Sequence, residues 1–110
     1  MRFSKTILIA LFLLVVSGGC YKNEPVPEAG FLIKATNNFK IPCEVTFTNI
    51  SINSFYWFWD FGNDSTSWAK EPVRTYTRPG KYLVTMRAYT ESQKEWASTG
   101  QVVEIKDTIQ

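Results

Sequence analysis

The 110-residue chain has no histidine and only two cysteines, Cys20 and Cys43. Without histidine, Ser–His and Cys–His nucleophile pairs are excluded, and a zinc site would lack its commonest nitrogen ligand. No glycine-rich loop of the phosphate-cradling kind is present. Close carboxylates are also scarce. Asp60 and Asp64 form the one near pair beside a turn, and a glycosidase would need such a pair about 5–9.5 Å apart across a cleft. A small domain offers little room for that cleft. The chain also lacks an apolar run long enough to cross a bilayer: the longest, Ile7–Val16, has ten residues where about 20 are needed. There is no internal repeat, no low-complexity tract, and no helical spacing of useful length after that run.

What stands at the start of the chain is an export signal. Arg2 and Lys5 precede the apolar run, and Ser17-Gly18-Gly19-Cys20 follows it. Its length argues against the alternatives of a membrane anchor or a buried helix. The small residues ending in Cys20 resemble the lipobox of bacterial lipoproteins, with Ser17 in place of the usual leucine. That resemblance implies a signal peptide over residues 1–19 and an acylated Cys20 as first mature residue. It implies an exported protein anchored by lipid in the bacterial cell envelope, with the outer membrane as the expected site. Each buried CH₂ contributes about 0.8 kcal/mol, so several acyl chains anchor stably where one does not.

Removal of residues 1–19 changes the charge balance. The loss of Arg2 and Lys5 reduces 12 basic residues to 10, against 10 acidic ones. A neutral mature chain has no electrostatic footprint for nucleic acid. Its 91 residues, 20–110, suffice for one domain, which buries about 60–65% of the unfolded surface. Residues 20–29 read as a tether, in which Pro25 and Pro27 favour an extended path of about 28 Å over nine residues. With Cys20 acylated, Cys43 is a free thiol. It shares a face with Val45 and Phe47, so a buried, inert role is expected over a redox one.

From Phe31 onward apolar residues alternate with polar ones, which is the period of strands. Phe31, Ile33 and Ala35 share a face, as do Cys43, Val45 and Phe47. Trp57, Trp59 and Phe61 form a third set, and Tyr82, Val84, Met86 and Ala88 a fourth. Turn signals fall at Asn37-Asn38, Asn49 to Asn53, Gly62-Asn63-Asp64, Pro79-Gly80 and Glu91 to Lys94. Strands are expected near 30–36, 43–49, 55–61, 65–68, 73–77, 81–90 and 96–106, with a tail at 107–110. Seven short strands with a central tryptophan predict an all-β, immunoglobulin-like antiparallel sandwich over residues 30–106.

Within that span, Trp59-Asp60-Phe61-Gly62, then Pro72, Thr75-Tyr76, Pro79-Gly80, Tyr82 and Val84 resemble the PKD (polycystic kidney disease) repeat family. The family pattern runs Trp-Asp-Phe-Gly-Asp-Gly, His-Thr-Tyr, Gly-x-Tyr-x-Val. Here Gly62-Asn63-Asp64 replaces the Gly-Asp-Gly turn, and Arg74 replaces the histidine. Asn63 is expected to supply the positive φ of the missing glycine. Trp59 reads as a core anchor, Asp60 as an acceptor for backbone N–H groups in the turn, and Tyr76 as a corner tyrosine. The resemblance implies a spacer or adhesion-like module without catalytic activity or cofactor.

Two further sets of residues bear on function. Asp60, Asn63 and Asp64 are a weak candidate calcium site, since three short side chains leave half of the six to eight oxygens unsupplied; a hydrogen-bonded turn is the favoured reading. The stronger candidate is a face. With Trp57 and Trp59 inside, Tyr56 and Phe58 point outward beside Leu83, Arg87 and Tyr89. Clustered aromatics with one arginine have the composition of binding hot spots. The expected function is therefore a binding module for a protein or polysaccharide partner. The alternatives are a purely structural spacer and, less favoured, a small enzyme.

Overall fold

The computed structural model describes residues 24–108. The expected signal peptide (residues 1–19), Cys20 and the first part of the expected tether lie outside the described residues, as does the end of the tail.

Among the described residues there are seven strands and no α-helix. They are β1 (Phe31–Ala35), β2 (Cys43–Asn49), β3 (Tyr56–Asp60), β4 (Thr66–Ser67), β5 (Val73–Tyr76), β6 (Gly80–Tyr89) and β7 (Trp96–Ile105). Every pairing between these strands is antiparallel, in a three-stranded sheet β1-β2-β5 and a four-stranded sheet β4-β3-β6-β7. The expected seven-stranded, immunoglobulin-like sandwich is the observed fold. Chain connections explain the layering. β2 leaves the small sheet for β3 in the large one, and β5 returns to the small sheet before β6 pairs with β3.

Alternation decides which side chains meet between the sheets. Phe31, Cys43, Val45 and Phe47 from one sheet face Trp59, Val84, Met86, Ala88, Val103 and Ile105 from the other, and all are buried. Trp59 is at the centre. Its ring centroid lies 5.1 Å from Phe31 and 5.5 Å from Phe47, and it stacks near-parallel on Phe61 at 6.1 Å. Its indole N–H donates to the Ala69 carbonyl at 2.8 Å, so the one polar atom of the ring is satisfied. Trp57 sits at the core's edge, half-buried, with its N–H donated to the Ser54 hydroxyl at 2.9 Å.

Tyr76 ties the sheets together. From the end of β5 its hydroxyl donates to the Phe61 carbonyl, just past β3, at 3.0 Å. Burial pushes its pKa up to about 12. The Cys43 thiol is buried and donates to the Thr36 carbonyl at 3.3 Å, and burial raises its pKa as well.

The turn after β3 corrects one expectation. Positive φ falls on Gly62 (77°) and Asp64 (65°), not on Asn63. At Gly62 a Cβ would meet the Leu83 carbonyl oxygen at 2.7 Å, so the close approach of β6 requires glycine there. Asp64 occupies the place of the family's second glycine, and aspartate tolerates the left-handed region better than most residues. Asn63 instead accepts the Ser65 amide and hydroxyl through Oδ1, which holds it in an Asx turn.

Truncating Trp59 tests this core. Trp59→Ala is expected to cost about 3–5 kcal/mol and to lower the melting temperature by more than about 10 °C. A midpoint within a few degrees of wild type in a calorimetric scan would mean that the indole does not organise the core.

Candidate functional site

The outward face of the large sheet follows from its register. Tyr56 pairs with Tyr89 and Phe58 with Arg87 across β3 and β6, and Tyr89 pairs with Trp96 and Arg87 with Ser98 across β6 and β7. Residues directly opposite one another lie on the same face. Tyr56, Tyr89 and Trp96 therefore form one row, and Phe58, Arg87 and Ser98 the next.

Trp68, just beyond β4, closes the row over Phe58. Four rings run in sequence: Phe58 to Trp68 at 4.7 Å, Trp68 to Tyr89 at 6.1 Å, and Tyr89 to Trp96 at 6.5 Å between centroids. The Arg87 guanidinium lies 4.3 Å from the Trp96 ring centre, and an Nη of Arg87 donates to the Tyr89 hydroxyl at 3.4 Å. The arginine is thus held by Trp96 and Tyr89. Trp68 is 61% exposed, Trp96 49% and Tyr56 43%. Phe58 and Tyr89 are half-covered by their neighbours.

Four of the five residues expected on this face (Tyr56, Phe58, Arg87 and Tyr89) come together. Leu83 shares the face but not the cluster. It pairs with exposed Val102, and the Thr85–Gly100 row separates them from the rings. Trp68 and Trp96 were not assigned to the face from sequence. Trp96 was legible: a hairpin folded about Ser92-Gln93 pairs Tyr89 with Trp96. Trp68 follows a two-residue strand, and no periodicity places it.

The turn residues offer less. Asp60 accepts the Gly62 amide at 2.9 Å, as expected, and Asn63 is committed to Ser65. Two of the three candidate calcium ligands therefore already hold the turn. Arg74, at the position of the family's histidine, lies 4.4 Å from the Phe61 ring centre and donates to the Thr66 carbonyl at 3.0 Å.

The segment 24–29, read as part of a tether, is docked on the sandwich. The Glu24 carboxylate accepts the Ser92 amide at 2.9 Å and hydroxyl at 2.6 Å. Asn53 Nδ2 donates to the Val26 carbonyl at 3.0 Å, Pro27 is buried, and Glu28 and Ile52 exchange backbone hydrogen bonds of 3.0 Å each. The prolines do favour an extended path, and an extended strand edge is what the loop before β3 can pair with. A hollow of about 500 Å³ lies beside this strap, lined by Glu24, Asn53, Phe55, Thr90 and Glu91 among others.

Comparison with known proteins agrees with this architecture. A family model described as PKD domain matches residues 22–105, strap included. The crystal structure of the PKD1 domain of Vibrio anguillarum Epp is 24% identical, with a TM-score of 0.65, over 77% of this chain and 99% of its own. The PKD1 domain of the Vibrio cholerae metalloprotease PrtV is 26% identical, with a TM-score of 0.63, over 74% of this chain and 99% of its own. A structure of carbohydrate-binding modules of the β-sandwich superfamily, studied for promiscuous specificity, is similar in fold at a TM-score of 0.69 and 19% identity, over 79% of this chain and 37% of its own. No curated protein sequence matches the chain.

The strap carries a pH signature. The Ser92 hydroxyl, then its amide, hold the Glu24 carboxyl below the usual carboxylate range. A depressed folded pKa stabilises the docked form above the unfolded value, and that contribution is lost as pH falls through the folded value. The Ser92 amide is therefore expected to be protected from hydrogen exchange at neutral pH and to lose protection in acid, below the ordinary carboxylate range. In Glu24→Gln, which removes the titrating group, protection should be low throughout. Protection that is independent of pH in the wild type would contradict the clamp.

Proposed function

The chain belongs to the PKD domain family, and on that premise we propose that it is a non-catalytic binding module of the bacterial cell envelope, anchored through acylated Cys20, whose outer aromatic face takes a carbohydrate chain. The observation that carries the reading is the ring row Phe58–Trp68–Tyr89–Trp96 with Arg87 fixed beside it. Soluble domains rarely leave such rings together in water without an interaction to serve. The apolar faces of sugar rings stack on aromatic planes, and the hydroxyls at their edges suit the Arg87 guanidinium, the tyrosine hydroxyls and Ser98. The likeness to carbohydrate-binding modules supports the reading through shared fold alone.

The lipid anchor rests on the sequence. Residues 1–19 are the signal peptide in this proposal, Cys20 is the acylation site, and the outer membrane is the site of display. The mature domain runs from the strap to residue 106. The chain holds no histidine, which fits a role without Ser–His or Cys–His nucleophile chemistry.

The two parts of the proposal are tested separately. Cys20→Ala is expected to release the domain from membranes or to leave the precursor uncut, as read by fractionation and intact mass. Unchanged mass and unchanged membrane association would refute acylation. For the face, the mature chain should bind a member of a polysaccharide array. Trp68→Ala combined with Trp96→Ala should weaken that binding by about 2 kcal/mol or more, roughly thirtyfold, while the melting temperature moves only a few degrees. Binding of only protein ligands would exchange carbohydrate for protein at the same face. Wild-type affinity in the double variant for every ligand found would leave the face unused and favour the spacer reading.

A further inference from the structure

The strap fixes where the chain enters the domain. Glu24 is held by Ser92 in the β6–β7 hairpin, and Val26 and Glu28 are held by Asn53 and Ile52 in the loop before β3. Hairpin and loop form one end of the sandwich. Cys20 stands four residues before Glu24, and four extended residues span at most about 14 Å. The end bearing the clamp therefore lies within that distance of whatever holds Cys20.

That end is also where exposed apolar side chains gather. Val26, Ile52 and Phe55 each expose half or more of their surface. The opposite end differs in character. Its exposed turn residues Asn63, Asp64, Arg78 and Lys81 are polar, and its apolar Phe39 is less exposed, at 36%. β6 runs from one end to the other through ten residues, Gly80–Tyr89, a length of about 33 Å.

Taking Cys20 as the acylation site, on which this inference rests, we infer that the clamped end is a membrane-docking surface: Val26, Ile52 and Phe55 settle into the headgroup region of the bilayer that holds the acyl chains. The occupant follows from where the chain outside the structure leads, since a lipid surface lies one short segment away. Glu91 and Glu95 against Lys94 leave the hairpin net negative, so the contact suits zwitterionic lipid better than anionic lipid. Docked in this way, the domain stands on its clamped end, and the ring row faces sideways, close above the membrane.

The test uses the mature acylated chain in phosphatidylcholine vesicles containing a lipid with a nitroxide on its headgroup. Cys20 is blocked by acylation and Cys43 is fully buried, so a single added cysteine takes a fluorophore selectively. Gln93→Cys reports on the clamped end and Arg78→Cys on the opposite end. Quenching is expected to be several-fold stronger at position 93 than at position 78. Ile52→Ser with Phe55→Ser should bring position 93 down towards the level of position 78 while the chain still floats with the vesicles. Equal quenching at both positions, or stronger quenching at 78, overturns the orientation. Quenching at 93 that survives the double serine variant overturns the apolar contact. A chain that does not float with vesicles refutes the anchor itself, and the inference with it.

Discussion

The Trp59 indole is enclosed by Phe31, Phe47 and Phe61, and its N–H is spent on the Ala69 carbonyl. Strand alternation makes that enclosure a constraint on the whole large sheet. A slip of one residue in β3 would put Trp57 and Trp59 in water and drive Tyr56 and Phe58 inward. With Trp59 fixed, the pairing of β3 with β6 sets Met86 and Ala88 inside and Arg87 and Tyr89 outside. The pairing of β6 with β7 then carries the same division to Trp96 and Ser98. The ring row on the outer face is thus a consequence of one buried ring.

Two other contacts keep the sandwich from sliding beneath that row. The Tyr76 hydroxyl bonds to the Phe61 carbonyl and joins the small sheet to the end of β3. Gly62 lets the Leu83 backbone of β6 approach more closely than a Cβ would permit. Both lie at the far end from the rings. The residues that define the family's pattern therefore brace the fold, and the outer ring row is built from residues outside that pattern.

The strands and the core were legible because alternation is strict where one face is buried. Phe31, Val45, Phe47, Trp59, Val84 and Met86 all fall inside as their spacing requires. Asp60 was legible for a local reason, since its carboxylate bonds the amide two residues on. Features that depend on distant partners were hidden. Trp68 joins the rings because the register of β3 with β4, Trp59 opposite Ser67, carries the next residue across to Phe58. The docking of residues 24–29 needs Ser92, Asn53 and Ile52, and nothing in a proline-containing segment announces those partners. The positive φ at Asp64 was misplaced by one residue because both Asn63 and Asp64 tolerate it, and only the hydrogen bond of Asn63 to Ser65 decides between them.

The central claim is that an inert, tryptophan-centred core presents a separate aromatic face for binding. The indole N–H resonances of the mature ¹⁵N-labelled chain test it most directly, because the four tryptophans divide between the two roles. During titration with a carbohydrate ligand, the Trp68 and Trp96 signals are predicted to shift progressively, while the Trp59 signal stays in place. A titration that moves Trp59, or that leaves Trp68 and Trp96 unmoved while the ligand binds, would contradict the account.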